Sequence, residues 1–515
     1  MSNRKVQINK QENLSINKNK ELRDTAIMHP KEEILTKLSS SEEETYRTFF
    51  RRQRDRILYT GGFRRLQDKT QVMEATEDGD HRTRLTHTLE VEQIAVSIAD
   101  ALSLNSDVCS AIALGHDVGH TPFGHAAERV LNEKLKNIGG FKHALQSIRY
   151  LQYKNIKLSR NILHGIMMHD TDMVDLGDEI YKNTQLCLEQ SNSEFLNPYQ
   201  YQSLEGQVVY WADKFAYLTH DLEDYRTNFY KADDGDDNIV EIEKRLRILL
   251  NREGDTTIKI ETYSTRDLIR KITTNLIETS HSNIENYAKD TEIEKGTKKK
   301  NYIDNLTINL DKEKRIAFTE ARKLLASLYI NNYHIQHSDA KAERIIEKLF
   351  HILSDKIGLL PPQWRITLRN EYYKTQLIEL IGHDILGKTE IYAPLWYDFK
   401  VYYDIDSLQN IEEKYIHNFS IWVYFNYINS SLKVNTDEKV QAIYNSIKNE
   451  ESKLRKNILP NKEYDESILS KVDTENGLNI EEKAKLIQKR IIADYLSSMT
   501  DKHAIQLYNK LIGTF

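Results

Sequence analysis

Apolar residues recur at three- and four-residue spacing through most of this chain, and runs of strict alternation are scarce, so the pattern predicts helices. The strongest stretch is 82–102, where Val91, Ile94, Ala95, Ile98, Ala101 and Leu102 form one stripe. His87 lies on that stripe one turn before Val91. Arg84 precedes His87 by three residues, so both are predicted to point to one side. Asn105-Ser106-Asp107 reads as the cap of a second helix that turns Val108, Ala111, Ile112 and Leu114 inward and delivers His116. Further helices are predicted over 126–136, 141–153 and 161–168. The segment 203–226 is the second strong element: Val208, Val209, Trp211, Phe215, Leu218 and Leu222 supply the packing. Asp213, Tyr217 and Asp221 follow one another at four-residue spacing and form one column down it, with Lys214 alongside. The charged stretch 227–262 ends in 256–262, a strand candidate. Helices resume over 311–331 and 339–357 and stop at Leu359-Leu360-Pro361-Pro362. A last helix is predicted over 480–511.

Composition narrows this to a polar, helix-rich protein. Of 515 residues, 39% are hydrophobic and 29% charged, and only 7 are Pro and 19 Gly, which disfavours a turn-rich β fold. A net charge of -6 does not make the whole surface a nucleic-acid platform. The arginines Arg51, Arg52, Arg54, Arg56, Arg64 and Arg65 read either as a solvated helix face or as a wall for phosphates. Cys109 and Cys187 are too few for a disulfide framework or a thiolate zinc site. The first 25 residues lack the apolar core of a signal peptide, and no run of roughly 18 apolar residues occurs, so a cytoplasmic protein without a membrane span is expected.

The chemistry concentrates in Gly115-His116-Asp117-Val118-Gly119-His120-Thr121-Pro122-Phe123-Gly124-His125. Neighbouring His and Asp offer a neutral nitrogen and a hard oxygen to one point, while Gly119, Gly124 and Pro122 turn the backbone. Nine of the 17 histidines fall between His81 and His220, the excess that a histidine-based site needs. His87, His116, Asp117 and Asp213 make a four-ligand set for one divalent ion, with Mn, Mg, Fe or Co suiting it better than zinc. The groups around it suit a phosphate ester. His120, His125 and His143 are candidate donors to phosphate oxygens, and Arg84 and Lys214 would offset charge on phosphorus. His125 and Glu128, three apart at a helix start, form the candidate acid–base pair. Tyr217 offers a flat surface for a sugar and Asp221 an acceptor for its hydroxyl. His164 and His169 read as packing or capping residues. No Gly-rich Walker loop is present.

The order His87, His116-Asp117, Asp213 resembles the HD-domain metal phosphohydrolases. Longer words narrow the resemblance: FRRLQDKTQV (63–72), RTRLTHTLEV (82–91), GHDVGHTPFGHAAE (115–128), FKHALQSIRYL (141–151), SLEGQVVYWADKFAYLTHDLED (203–224) and DYLSSMTDKHAIQLYNKL (494–511) are similar to deoxyguanosine triphosphate triphosphohydrolases and the broader dNTP triphosphohydrolases. The resemblance spans about 45–362 and resumes near 480. It implies an all-α HD-domain fold and water attack at the α-phosphorus of a dNTP, giving a deoxynucleoside and tripolyphosphate. It assigns the metal to His87, His116, Asp117 and Asp213 and catalysis to His125 and Glu128. Phosphates and sugar fall to Arg84, His120, His143, Lys214, Tyr217 and Asp221. It further implies that Gln67 senses the 3′-hydroxyl, and that close packing around Tyr217 rejects a 2′-hydroxyl. A homo-oligomer, hexamer or tetramer, and an activating dNTP also follow from it. Ala127 stands where relatives often carry glycine, and SSMTDKHA replaces the commoner AGMTDRYA.

The domain organisation expected is a flexible lead-in over 1–40, an HD-domain catalytic core over 41–230, a helical continuation over 231–367, a tyrosine-rich, partly irregular insert over 368–478, and a C-terminal helix packing on the core over 479–515. The insert carries none of the words that make up the resemblance and is a candidate contact for subunits or a partner protein. Two other functions compete. One is an HD-family nuclease or nucleotide phosphomonoesterase, with the arginine segment gripping single-stranded nucleic acid. The other is a nucleotide-sensing regulator. A lowered dNTP pool would serve housekeeping, mutation control or defence against phage.

Overall fold

In the computed structural model, residues 26–27, 47–71, 82–154, 156–170, 202–230, 237–285, 306–330, 332–365, 367–368 and 480–513 are described. They are all-α, as the periodicity predicts: no strand occurs among them, and the one β-type contact is an isolated bridge between Thr70 and Thr83. Packing divides the chain into two units, Met1–Phe350 with Asp494–Phe515, and His351–Ala493.

The first unit is built around helices that carry apolar residues on most of their faces. After α1 (Phe49–Leu58) and the short α2 (Gly61–Arg65) comes α3 (Arg84–Ala101), started by a reciprocal cap between Thr83 and Thr86. Its inner face buries Arg84, His87, Val91, Ile94, Ala95 and Ile98. The next helix, α4 (Ser106–Gly115), is capped by the Asn105 side chain, which accepts from Val108 N, as the sequence predicts. It is buried from Asp107 to Gly115, which is what a helix apolar on all sides requires. It packs against α1 and α3, so its C-terminal end, and His116 with it, comes to rest deep in the protein.

The other elements of this unit are α5 (Gly124–Lys134), α6 (His143–Tyr153), α7 (Arg160–Met167), α8 (Leu204–Asn228), α9 (Asp237–Leu249), α10 (Thr265–Ile284) and α11 (Lys312–Ile330). The long α8 runs against α3, α4 and α7. Its Trp211 indole donates to Ile308 O at 2.7 Å and meets Phe215 and Phe318. Burying rings of this size contributes about 1.5–3 kcal/mol each and fixes the rotation of α8, and that rotation aims Asp213. The helix α12 (Tyr333–Asp355) ends in the second unit. In the reverse sense, α13 (Ile480–Ser497) starts there and ends in the first, where α14 (Asp501–Ile512) follows.

Two expectations are corrected. Residues 256–262 form turns and not a strand. Asp255 accepts from Thr257 N and Oγ1, Thr262 Oγ1 accepts from Lys259 N, and buried Glu243 takes Ile260 N, so local side-chain bonds replace a ladder. The terminal helix is broken in two, because Thr500 turns extended and caps α14 by accepting from His503 N. Boundaries also shift: the helix expected over 126–136 stops at Lys134, and the one over 339–357 begins at Tyr333. The 1–40 lead-in apart from 26–27, and nearly all of the 368–478 insert, lie outside the described residues. Among the described residues no helix is long and apolar enough to cross a membrane.

Candidate metal and phosphate site

Three separate segments bring the four candidate ligands together, and ligand-type atoms of His87, His116 and Asp117 all lie within 4.8 Å of one another. His116 caps the end of α4, where its Nδ1 donates to Ala113 O at 2.6 Å. That bond places the proton on Nδ1 and leaves a lone pair on Nε2, a buried atom that no protein group satisfies. His87 Nε2 from α3 lies 3.1 Å from Asp213 Oδ1 of α8. His116 Nε2 is 3.7 Å from Asp117 Oδ2 and 3.8 Å from Asp213 Oδ1. Ligands about 2.1 Å from one ion are roughly 3–4 Å apart, so these separations fit a shared divalent cation. Charge state fits as well. Burial alone would raise both carboxyls, but His116 and Arg84 hold Asp117, and Lys214 and His87 hold Asp213, well below the usual range. Burial pushes His87 down, toward the neutral form that binds metal.

The turn after His116 is fixed by backbone contact. Gly119 N donates to Ser147 Oγ at 3.0 Å, and that hydroxyl donates to His116 O at 2.6 Å. A Cβ at Gly119 would sit 2.1 Å from Ser147 N, so only glycine lets the loop lie this close to α6. Phe123 adopts the left-handed region, φ 58 and ψ 26. Asp501 at the start of α14 holds it there by accepting from Phe123 N at 2.9 Å, and with its other oxygen takes Thr70 N at 2.8 Å. The buried Lys69 Nζ donates to His120 O and, at 2.8 Å, to Ser497 O.

On this loop and the two helices after it stand the remaining histidines. Both ring nitrogens of buried His120 lack a protein partner, and burial with the nearby Arg84 and His143 keeps the ring neutral. The rings of His120 and His143 stack at 4.5 Å. His125 is 54% exposed, with Nδ1 3.0 Å from Glu128 Oε2. Glu128 also takes His143 Nδ1 at 3.1 Å and His143 N at 3.1 Å. Burial opposes ionisation of Glu128, yet its two histidine partners hold it well below the usual range. His143, despite burial, is raised by Glu128. Among the described residues, ligand-type atoms within 4.8 Å of one another also group as His120, His125, Glu128 and His143, and as Asp117, His143 and His169.

The other predicted residues are placed less uniformly. Arg84 is fully buried, donates to Asp117 Oδ2 at 2.7 Å and leaves its Nε unpartnered. Lys214 Nζ lies 3.2 Å from Asp213 Oδ2 and 3.8 Å from Asp170 Oδ1. The Tyr217 ring is 4.7 Å from His87. Asp221 is partly buried, with a buried, unpartnered Oδ1, and desolvation pushes its carboxyl up to about 7. Gln67 is exposed on the turn before Lys69 and takes no part in the hydrogen-bond network of the site. In the arginine segment, Arg54 is paired with Asp55, Arg56 with Lys157 O and Arg64 with Tyr59 O, and Arg65 lies over the Tyr150 ring.

Several residues at the site were not singled out by sequence reasoning. His169 caps Ile166 O through Nδ1, but its Nε2 is 3.0 Å from His143 Nε2 and its ring 4.9 Å from that of His116. Burial, with His116 and His143, drives it down to about 3. Asp170 follows it, making a second His-Asp pair that was legible as a signal. His220 reaches His87 from the far side, with Gln71 and Glu90 as its own partners. Its position two turns after Asp213 on α8 was the available clue.

The HD domain pattern matches residues 84–218, and the phosphohydrolase-associated domain pattern matches 308–380 and 469–510. A deoxyguanosinetriphosphate triphosphohydrolase-like protein of Rickettsia felis is 34% identical over 371 residues, covering 68% of this chain and 90% of that one. Proteins of the same description from Rickettsia typhi and Rickettsia prowazekii are each 36% identical, with the same coverage.

Proposed function

Because the chain belongs to the HD-domain phosphohydrolases, in the family of the deoxyguanosinetriphosphate triphosphohydrolase-like proteins, we propose that it hydrolyses a deoxynucleoside triphosphate at the α-phosphorus, releasing deoxynucleoside and tripolyphosphate. The observation that carries this reading is the buried His87, His116, Asp117 and Asp213 quartet, with an orphaned His116 Nε2, beside the unpartnered ring of His120 and the His125–Glu128 pair. A divalent ion held by the quartet, with Mn, Mg, Fe and Co the candidates, would acidify water and draw charge from a phosphate oxygen.

The protein's own groups do the rest. His120 is free to bond a phosphate oxygen, and Lys214 and Arg84 supply fixed positive charge beside it. Tyr217 supports the deoxyribose, Asp221 meets its hydroxyl, and Gln67 reads the 3′ position. As water adds to phosphorus and gives up a proton to solvent, the bond to O5′ breaks, and a proton on His125 Nε2 passes to the departing oxygen. Glu128 stays ionised at Nδ1 and steadies the imidazolium before the transfer. His143 takes the other side of Glu128 and lies against His120. In this reading the chain is a homo-oligomer that lowers the dNTP pool, with defence against phage one use of that activity.

The test is to incubate the purified protein with each dNTP, alone and in pairs, with Mn²⁺ or Mg²⁺, and to resolve products by ion exchange. Tripolyphosphate is expected, and acceleration in pairs would reveal an activating nucleotide. Orthophosphate or pyrophosphate alone contradicts the reading. Cleavage of oligonucleotides that collapses with salt, and none of dNTPs, supports a nuclease instead.

A further inference from the structure

Each metal-facing imidazole needs something to decide which nitrogen carries the proton. For His116 the decision is local, since its own helix offers Ala113 O. His87 stands in the first turn of α3 and its ring has no such carbonyl bond; its Nδ1 instead faces another imidazole, His220 Nδ1, at 3.4 Å. His220 is buried, and its Nδ1 is also 3.2 Å from Gln71 Nε2. On the far side, His220 Nε2 is hydrogen-bonded to the carboxylate of Glu90.

The direction of this chain follows from what each group can do. A carboxylate only accepts, so the single proton of a neutral His220 sits on Nε2, toward Glu90. His220 Nδ1 is therefore an acceptor, for an amide hydrogen of Gln71 and for His87 Nδ1–H. His87 must then carry its lone pair on Nε2, 3.1 Å from Asp213 Oδ1 and on the side of His116. Without His220 the other tautomer competes: Nε2–H would donate to Asp213, and that bond would occupy both ligand atoms. Asp213 and His220 lie two turns apart on α8, so one helix grips the His87 ring at both nitrogens.

We propose that His220, aligned by Glu90 and Gln71, is the positioning residue that selects the metal-binding tautomer of His87. The proposal rests on the metal reading given above, and it assigns a role to LTHD and HTLE residues outside the ligand set.

The experiment measures Mn²⁺ affinity of chelator-stripped full-length protein by the EPR signal of free Mn²⁺, with no substrate present. His220→Leu should raise Kd roughly ten- to hundred-fold. Glu90→Gln should weaken binding by a smaller factor, roughly tenfold or less. His220→Asn keeps an acceptor at the position of Nδ1 and should recover most of the loss, which restored packing alone would not give. The thermal midpoint of each metal-free variant checks folding. Mn²⁺ affinity of His220→Leu within twofold of the parent overturns the proposal, and so does an Asn variant no better than Leu. If His220→Leu does not fold, Glu90→Gln decides, because that carboxylate is half-exposed at the edge of the site; unchanged affinity there is equally fatal. A parent protein that binds no Mn²⁺ removes the metal reading and this proposal together, whereas binding unchanged by the variants removes this one alone.

Discussion

Replacing Gly119 with alanine puts a Cβ 2.1 Å from Ser147 N, 2.3 Å from the carbonyl carbon of Gln146 and 2.6 Å from Ser147 Cα. All three are backbone atoms at the start of α6, so no side chain can rotate away. The loop must back off by about an ångström to reach ordinary contact, and two bonds go with it: Gly119 N to Ser147 Oγ, and Ser147 Oγ to His116 O. Overpacking of this kind costs about 1–3 kcal/mol, and each lost buried hydrogen bond about 0.5–1.5 kcal/mol. Stiffening the unfolded chain returns only about 0.4–1 kcal/mol. The net expectation is a loss of about 1–6 kcal/mol, a large part of a typical fold's stability of roughly 5–15 kcal/mol. Urea unfolding followed by circular dichroism measures it, with Gly254→Ala, where the added carbon meets nothing within 4 Å, as the control. Because His116 and His120 flank the displaced residue, Mn²⁺ affinity should fall with stability. A Gly119→Ala protein within about 1 kcal/mol of the parent would refute the close-contact reasoning.

Three further outcomes are expected. His125→Ala should lower kcat about 10²–10⁴-fold and leave the Mn²⁺ Kd within twofold; a tenfold weaker Kd would instead put His125 among the ligands. Asp501→Ala removes the acceptor for Phe123 N, Thr70 N and Thr70 Oγ1, so it should cost about 2–4 kcal/mol and lower kcat more than it raises KM; unfolding unchanged from the parent would contradict the clamp. The pH dependence of stability should carry the mark of Asp221. Burial raises its carboxyl to about 7, with Asp224 adding and Arg322 and Arg82 opposing. An unfolded aspartate titrates near 3.9, so the folded state holds the extra proton between about pH 4 and 7. Stability therefore falls as pH rises through that window and levels off above it, by at most about 4 kcal/mol. Asp221→Asn should flatten the slope, and urea midpoints at pH 5 and 8 that differ as much as in the parent would count against it.

Much of this was readable from residue order. The stripe of 82–102, the cap at Asn105 and the apolar residues of 203–226 place α3, α4 and α8 within a few residues, because their buried positions recur at helical spacing. The crowding of histidines between 81 and 220 marked where the chemistry lies. Residues whose importance comes from distant partners stayed hidden. Asp501 and Phe123 are 378 positions apart, and Lys69 and Ser497 are 428; no periodicity announces such a pair. His169 looked like a capping residue and does bond a carbonyl, yet what its other nitrogen faces depends on how α6 and α7 pack. At 256–262, Ile258 and Ile260 alternating with Lys259 and Glu261 between threonines imitate a strand, and only the hydrogen bonds of Asp255 and Glu243 reveal the turns.

Lys69 offers a practical handle. Its amine is sealed beneath the carbonyls of His120 and Ser497, and burial, aided by Arg65, makes it far less basic than a surface lysine. An acylating reagent will find it nucleophilic but out of reach until the junction of α13 and α14 lifts from the loop. The labelling rate at this one position is thus a clock for that lifting, and a molecule bound at the loop should slow it.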